Sequence, residues 1–351
     1  MAKEMFNIHS GFKLNGASFN TPELIIYCKR NLTESTGVFN FILEWLNSSK
    51  VIEVQSSGST GFPKTFLTKK SAMINSAKNT GKFFKLKEGD RALLCLPVKF
   101  IAGQMMVVRA LVLGFDLLIQ KPNNSPLKNL SKTFDFVAMT PYQLSNSINY
   151  LEKARCLITG GSPVDDKLKK KIINKSSGVF ETYGMSETLT HVAVKNLSAG
   201  EKAFTALPGI SFKLKNGCLE ISIPYLSNST FITNDQVELI SKTKFFWIGR
   251  NDFIINSGGI KIVPEKIEKK LAPYYLETFA VCGLPDQKLG EKIVLAFEEK
   301  IPLNAKIPFK MLDRFEKPKE LFCIKKFKRT NGKIDRISLR NNILKLIHGR
   351  N

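Results

Sequence analysis

The chain of 351 residues is 43% hydrophobic and carries a formal net charge of +23, so it can bury a core in one large or two smaller domains. Its longest apolar stretch, 105–119, is broken by Arg109, Gly114 and Asp116, which argues against a membrane span. Six widely separated cysteines and three scattered histidines argue against a zinc site and a disulfide framework. Because the N-terminus also lacks a secretory pattern, we expect a cytoplasmic protein.

The high positive charge is open to several interpretations. Basic proteins bind nucleic acid, anionic membranes or small polyanions such as ATP and coenzyme A. The lysines are spread from Lys3 to Lys345 and are mostly not interleaved with aromatic residues, as a base-stacking surface requires. We therefore predict no dedicated nucleic-acid partner, although a basic nucleic-acid-binding protein remains the non-enzyme alternative.

Short apolar runs alternate with amphipathic stretches over the first 187 residues. This alternation predicts parallel β-α-β units, in which ligands bind at the carboxyl ends of the strands. Stretches rich in hydroxyls or paired glycines follow four strands, at 56–64, 97–103, 159–163 and 183–187. The predicted strands are 51–54, 92–97, 115–119, 136–139, 156–159 and 178–182, and the predicted helices are 39–46, 71–84, 103–113, 141–151 and 164–174.

The pattern changes beyond residue 200, where short alternating strands predict an antiparallel subdomain and a smaller α+β unit follows. We therefore predict an α/β protein. It has a large N-terminal domain, 1–250, and a small mobile C-terminal domain, 251–351, with a hinge at 249–252. The predicted strands of this part are 218–223, 235–240, 244–247, 279–283, 293–297 and 320–325, and its helices are 264–272 and 335–347.

The stretch 56–64 reads Ser-Ser-Gly-Ser-Thr-Gly-Phe-Pro-Lys. Its small residues allow backbone N–H groups to face outward, its hydroxyls can donate to phosphate oxygens, and its lysine supplies positive charge. The spacing does not fit the P-loop of NTPases. Taken alone, the stretch fits either a phosphate-binding loop or a polar surface turn.

Further motifs follow in order along the chain: Gly-Gly-Ser-Pro at 160–163, Tyr-Gly-Met-Ser-Glu-Thr at 183–188, Thr-Asn-Asp at 233–235 and Gly-Arg-Asn-Asp at 249–252. Together with the 56–64 loop they resemble the adenylate-forming superfamily of acyl-CoA synthetases, luciferases and peptide-synthetase adenylation domains. The resemblance covers about residues 51 to 340. Asn234 replaces the family's glycine, and asparagine tolerates the same left-handed backbone.

The resemblance implies binding of ATP, Mg²⁺ and coenzyme A. Glu187 and Thr60 would hold the metal, Ser186 would contact the α-phosphate region, and Asp252 would be the hinge residue. The resemblance thus implies that Ser186 and Glu187 are catalytic residues. The other implied contacts are Ser57, Gly58, Ser59, Gly61 and Lys64 in the loop, Gly160, Gly161 and Ser162 against the adenine, Tyr183 stacked on it with Gly184 following, Asp235 and Arg250 at the ribose, and Gly258 and Gly259 beside the pantetheine arm.

The stretch 327–336 resembles the superfamily's Pro-Lys-Thr-x-x-Gly-Lys motif, which carries a catalytic lysine, here Lys333. Phe327 replaces the proline and Arg329 the threonine. Because several lysines surround Lys333, a solvated basic run is the alternative interpretation.

Within the superfamily, the stretches 96–111 and 140–144 are similar to the o-succinylbenzoate–CoA ligases of menaquinone biosynthesis, but Phe100 and Ala102 stand where those enzymes have His and Ser. A dicarboxylic acid needs a cation or donors in its pocket. Arg109 could serve so, or could be a buried structural ion-pair partner. The candidate acid-binding residues are Lys99, Phe100, Gln104, Arg109, Thr190 and His191.

The implied reaction joins a carboxylate to the α-phosphate of ATP with loss of pyrophosphate. Coenzyme A then attacks the acyl-adenylate after rotation about Asp252. Lys333 and Mg²⁺ would neutralise the two anions that meet. A ligase for another aryl or acyl acid, including one that loads a carrier protein, remains an alternative. The oligomeric state is left open, a homodimer included.

Overall fold

The computed structural model describes residues 7–32, 37–55, 65–175, 178–226, 230–330 and 333–348. They form two compact units, one drawn from 1–211 and 222–231 and the other from 212–221 and 232–351. No helix among the described residues is both long and apolar enough to cross a bilayer.

The first unit alternates strands with helices, as the sequence predicts. Its elements in chain order are β1 (Lys13–Leu14), β2 (Ala17–Ser18), α1 (Thr21–Arg30), α2 (Val38–Leu46), β3 (Val51–Gln55), β4 (Thr65–Lys69), α3 (Lys70–Phe84), β5 (Arg91–Leu94), α4 (Ile101–Leu113), β6 (Asp116–Ile119), β7 (Phe134–Met139), α5 (Pro141–Asn146), β8 (Ala154–Thr159), α6 (Asp166–Ile172), β9 (Gly178–Gly184), β10 (His191–Asn196) and β11 (Phe204–Ala206).

Most of these strands join one sheet, in the order β11-β10-β9-β8-β7-β5-β6-β1-β2. Pairing is parallel from β9 through β8, β7, β5 and β6 to β1, and antiparallel at β9–β10, β10–β11 and β1–β2. The carboxyl ends of β8 and β9 therefore lie side by side at one edge, where ligands of such sheets bind. The predicted α/β fold class is confirmed.

Helix α4 is buried on all sides rather than along one stripe. Nine of its thirteen residues are buried, Arg109 among them. A helix that is apolar all round belongs inside a core. It ends at Gly114, whose φ of 74° is the left-handed conformation that glycine adopts at low cost, and the Gly114 N–H donates to Ala110 O.

A buried lysine ties α3 to α2. Lys70, fully buried at the start of α3, donates from Nζ to the carbonyl oxygens of Glu44, Trp45 and Asn47 at 2.8–3.1 Å, and to Asn47 Oδ1 at 2.9 Å. These oxygens lie at the C-terminal end of α2, where carbonyls lack intrahelical partners and the helix dipole favours a cation.

In the first unit one predicted helix is shorter than expected, and the elements β1, β2, α1, β4, β10 and β11 were not predicted. The helix predicted over 141–151 ends at Asn146, and a 3₁₀ turn, Ile148–Lys153, follows. The side chains of Ser145 and Asn146 both donate to Tyr142 O, so local polar contacts compete with continued helix. Between β3 and α3 the structure adds an unpredicted strand, β4, antiparallel to β3. Strand β3, which precedes residues 56–64 in the chain, therefore belongs to a separate antiparallel pair and not to the parallel sheet, contrary to the prediction.

The second unit is α+β. Its strand pairs between residues 235 and 298 are antiparallel, whereas Glu320–Ile324 pairs in parallel with Gly290–Glu298. Two apolar clusters, one around the helix Pro264–Leu271 and the other around the helix Arg336–His348, pack against its central strands. The remaining elements of the chain are β12 (Ser211–Lys215), β13 (Cys218–Ser222), β14 (Thr230–Ile232), β15 (Asp235–Ser241), β16 (Lys244–Arg250), β17 (Ile255–Ser257), β18 (Ile260–Ile262), α7 (Pro264–Leu271), β19 (Phe279–Asp286), β20 (Gly290–Glu298), β21 (Glu320–Ile324), β22 (Arg329–Thr330), β23 (Lys333–Ile334) and α8 (Arg336–His348).

Candidate functional site

The Gly-Gly-Ser-Pro turn begins where β8 ends and is pressed against β9. Thr182 Oγ1 donates to Thr159 O at 3.0 Å. A Cβ built on Gly160 would stand 2.2 Å from Thr182 Oγ1, so a side chain there would force the two strand ends apart. Gly161 has a φ of 89°, which also favours glycine. The turn is thus a fixed edge of backbone beside the end of β9.

The Tyr-Gly-Met-Ser-Glu-Thr motif spans the end of β9 and a tight turn. Met185 N donates to Thr188 Oγ1 at 3.0 Å, and the same hydroxyl lies 2.8 Å from Thr190 O. Thr188 is buried, whereas Ser186 is half-buried and Glu187 is exposed. The buried threonine therefore fixes the turn and leaves Glu187 accessible at the carboxyl edge of the sheet.

A single accessible carboxylate fits a Mg²⁺ ion that arrives with a nucleotide. Mg²⁺ usually keeps several waters and takes one or two protein carboxylates plus phosphate oxygens. Glu187 offers one such carboxylate, and the described residues contain no cluster of three or more His, Cys, Asp or Glu that could hold a metal on its own. Thr60, the second predicted ligand, lies outside the described residues.

A buried ion pair lies beside these turns and was not predicted. Glu181 on β9 and Lys195 on β10 stand directly opposite each other, with Oε2 and Nζ 2.8 Å apart. Glu181 is 5% exposed and Lys195 8%. Glu181 Oε1 also accepts from Val164 N at 3.2 Å. The sequence signal was one charged residue within each of two strands, Gly-Val-Phe-Glu-Thr-Tyr-Gly and His-Val-Ala-Val-Lys-Asn.

Arg109 lies in the core, and no carboxylate of the described residues pairs with it. It is 2% exposed, Nε donates to Thr80 Oγ1 at 3.3 Å and Nη2 to Thr190 Oγ1 at 3.3 Å. Its guanidinium also lies over the Phe136 ring. No Asp or Glu among the described residues forms an ion pair with it, which rules out the structural ion-pair interpretation within that part of the chain. Burial lowers the pKa of Arg109 to about 10.

His191 joins this cluster through Thr190. Its Nδ1 lies 3.2 Å from Thr190 Oγ1, while the buried Nε2 has no hydrogen-bond partner among the described residues. Burial, and secondarily the positive charge of Arg109, hold the pKa of His191 well below 6.5. The imidazole is therefore neutral, and the structure brings together the predicted residues Arg109, Thr190 and His191.

The other three predicted acid-binding residues lie on or beside a separate polar cavity. Lys99 is exposed, Phe100 is half-buried as the N-cap of α4, and Gln104 is buried with Oε1 unpartnered in the described structure. Lys99 and Gln104 line a cavity of about 420 Å³ together with Glu44, Glu53, Gln55 and Thr65.

In the second unit, the two predicted ribose contacts are neighbours across a hairpin. Asp235 on β15 pairs with Arg250 on β16, and an oxygen of its carboxylate lies 3.8 Å from the guanidinium. Arg250 also binds the predicted hinge residue, Asp252. Asn251 N donates to Asn234 O at 2.7 Å, which fixes the crossing of the two strands. An arginine held between two carboxylates is preorganised to receive further hydrogen-bonding groups.

The paired glycines lie in the turn between β17 and β18. Gly258 and Gly259 have φ values of 59° and 81°, and Gly258 N donates to Leu289 O at 2.8 Å. Two successive left-handed residues require glycine or nearly so. The turn therefore presents two successive residues without side chains, and their predicted place beside a pantetheine arm stays a prediction.

The hairpin of β22 and β23 that carries Lys333 is anchored at its base. Glu298 forms a bidentate ion pair with Arg329, in which Arg329 Nη1 lies 2.7 Å from Glu298 Oε1. The Glu298 carboxylate also accepts a hydrogen bond from Phe327 N at 2.8 Å. On the other side, Arg336 binds Glu268 and donates to Val281 O at 2.7 Å. The two residues that depart from the superfamily motif, Phe327 and Arg329, are thus both held by one carboxylate.

Some predicted residues lie outside the described structure. These are the loop residues Ser57, Gly58, Ser59, Thr60, Gly61 and Lys64; the backbone of Lys333 lies in β23, and its side chain is outside the described part.

Comparison with known proteins defines the class of this fold and site. Residues 54–217 match the family model "AMP-binding enzyme". The crystal structure of an acyl-CoA synthetase (AMP-forming)/AMP-acid ligase II-like protein from Dyadobacter fermentans is 35% identical, with a TM-score of 0.60, and the match covers 90% of this chain and 97% of that one. The chain belongs to the AMP-binding enzyme family.

More particular relatives are named 2-succinylbenzoate–CoA ligase. The protein of Haemophilus influenzae is 28% identical over 61% of this chain. The chain spans only about half, 51%, of that relative's length. The O-succinylbenzoate Coenzyme A Synthetase from Bacillus subtilis, in complex with ATP and magnesium ion, has a TM-score of 0.72 at 19% identity, over 83% of this chain and 69% of that one, and so shares the fold.

Proposed function

We propose that the protein is an AMP-forming acid–CoA ligase. It would join a carboxylic acid to the α-phosphate of ATP with release of pyrophosphate, and then transfer the acyl group to the thiol of coenzyme A with release of AMP. The family membership supports this reaction class, and so does the sheet edge that brings the two turns at 160–163 and 183–188 together.

The roles of the residues follow from the motifs. Tyr183 would stack on the adenine against the turn of Gly160 and Gly161, and Ser186 would contact the phosphate that is attacked. Lys333 would neutralise charge as two anions approach. Mg²⁺ bound with ATP would withdraw charge from the phosphates, and Glu187 would orient it.

The acid is proposed to be 2-succinylbenzoate, and the observation that carries this proposal is the buried guanidinium of Arg109. A buried cation is costly unless an anion compensates it. The hydrogen-bond and ring partners that the described structure gives Arg109 are two hydroxyls, a thioether sulfur and an aromatic face, and none of them is an anion. A second carboxylate on the substrate would complete the pair. Relatives named for this acid support the same choice.

A different aromatic acid is the second candidate. It is favoured by Phe100, half-buried at the start of α4, and by Ala102 after it, because these replace the His and Ser of the similar ligases. An aromatic and a methyl group lower the polarity at that end of the helix, which suits an acid with fewer polar groups there.

The boundary between domains is likewise a proposal. We place it at residues 250 and 251, with Asp252 as the hinge. The continuous part of the second compact unit already begins at residue 232, so the proposed hinge lies inside that unit, at the ion pair of Arg250 with Asp252.

The test is pyrophosphate release from MgATP with a panel of acids, with and without coenzyme A. We expect release to require 2-succinylbenzoate and a thioester to form only when coenzyme A is added. Arg109→Met should lower kcat/KM for this acid by about 100-fold or more, because the second carboxylate of the bound acid loses its cationic partner. For an analogue without the second carboxylate, the same variant should change kcat/KM little. The exposed Arg155→Met is the matched control. Release with a different acid alone would refute the substrate but keep the class.

A further inference from the structure

One row of side chains crosses the three strands at the end of the first unit's sheet. Glu181 on β9 faces Lys195 on β10, and the Lys195 ammonium lies 4.4 Å from the centre of the Phe204 ring on β11. All three residues are buried. A cation over an aromatic face and a close carboxylate fix the position of the lysine from both sides.

The two ends of this row reach the two turns proposed to hold the adenine. At one end, Glu181 Oε1 accepts from the N–H of Val164, the residue that follows the Gly-Gly-Ser-Pro turn. At the other end, the Phe204 ring lies 5.7 Å from the Tyr183 ring, at an angle of 54°. The charged pair therefore connects the backbone edge at 160–163 with the ring of Tyr183.

We propose that the Glu181–Lys195 pair is a positioning device that sets the width of the adenine slot between Tyr183 and the 160–163 turn. The proposal rests on the nucleotide site of the proposed function and assigns no contact of the pair with the nucleotide. A buried charge pair has one low-energy geometry, since every displacement separates charges in a medium of low polarity. An uncharged pair would hold the shape of the core but allow the turn and the ring to shift.

The experiment measures MgATP binding by calorimetry and the separate KM values for ATP and for the acid. We expect Lys195→Met to weaken MgATP binding and to raise the KM for ATP by about tenfold. The KM for the acid should stay within about twofold, because the Glu181–Lys195 pair is proposed to act on the adenine slot alone. Lys195→Arg, which keeps the charge, should restore most of the affinity. Lys169→Met removes an exposed pair with Asp166 on α6 and should leave both KM values unchanged.

A second variant covers the case in which Lys195→Met does not fold because Glu181 is left buried and unpaired. The double variant Glu181→Gln, Lys195→Met removes both charges at nearly constant volume and should show the same loss of MgATP affinity while melting cooperatively. If the folded variants bind MgATP as the wild type does, the positioning role is refuted. If the wild type itself binds no adenine nucleotide, the proposed function fails instead.

Discussion

Replacing Lys70 by methionine tests whether a buried ammonium holds α2 in place. The change keeps most of the apolar volume but removes the four hydrogen bonds to Glu44, Trp45 and Asn47. Of the three carbonyl oxygens, that of Trp45 is the one whose hydrogen bond to Lys70 is fully buried, and the other two contacts are only partly buried.

The expected magnitude follows from that difference. A buried carbonyl without a partner costs about 1–3 kcal/mol, and loss of a cation at a helix C-terminus costs about 0.3–1 kcal/mol more. The partly buried oxygens can recover water and cost less. We therefore expect a loss of about 3 kcal/mol in the free energy of unfolding, or roughly 6–12 °C in the melting temperature of the first unit.

The pH dependence gives a sharper criterion. Burial lowers the pKa of Lys70 from 10.5 to about 8, and the Glu44 carboxylate opposes this only in part. Because the unfolded chain then binds more protons between pH 8 and 10.5, the stability of the wild type gains from Lys70 as the pH rises through this window. The methionine variant lacks this gain, so the difference between the two proteins should widen from pH 8 to pH 10.

Chemical denaturation followed by tryptophan fluorescence at pH 7, 8, 9 and 10 measures both effects, since Trp45 lies beside the ammonium. Lys78→Met, at an exposed position of the same helix, is the control and should stay near the wild type. A stability difference below about 1 kcal/mol at pH 7 would contradict the capping role, and a difference that shrinks with rising pH would contradict the sign of the pKa shift.

Three further predictions concern the site. Lys333→Ala should abolish acyl-adenylate formation, measured as acid-dependent pyrophosphate exchange, while the melting temperature stays within about 2 °C; full retained exchange would remove Lys333 from the reaction. Arg329→Ala removes the contacts of Arg329 with both oxygens of Glu298 and should lower the exchange rate about tenfold with little change in the KM for ATP, whereas Arg329→Lys should be intermediate. His191→Asn should reduce the loss of stability below about pH 6.5, because the buried imidazole is neutral in the folded protein and takes up a proton on unfolding; melting curves at pH 5 and pH 7 test this.

The parallel part of the fold could be predicted because its signals are local. The strands from β5 to β9 are short, mainly apolar runs, and the helices between them could be placed from their own residues and end signals, such as Gly114 after α4. The boundary of α5 could not, since its end depends on side chains of Ser145 and Asn146 that compete with the helix. Strand β4 was also missed, because its exposed alternation acquires meaning only through pairing with β3.

The site shows the same division between motif and pairing. Asp235 and Arg250 could be named from their motifs, and the structure brings them together across a hairpin. Glu181 and Lys195 could not be paired, because the register of β9 against β10 contains an irregularity near His191 and is not fixed by spacing along the chain. The surroundings of Arg109 could not be predicted either. Helix α4 is apolar on all sides, so its sequence does not indicate which neighbouring elements Arg109 contacts.

The cysteines, which form no disulfide, give this protein a built-in reporter. Cys323 on β21 is exposed and lies 3.0 Å from Glu299 O, whereas the other five thiols are buried. Burial raises the pKa of Cys28, Cys95, Cys156 and Cys282 to about 12, so these thiols resist alkylation at neutral pH. A maleimide dye should therefore label the native protein once, at Cys323 in the second unit. Each further label should indicate that a buried cysteine has become accessible through local or global unfolding.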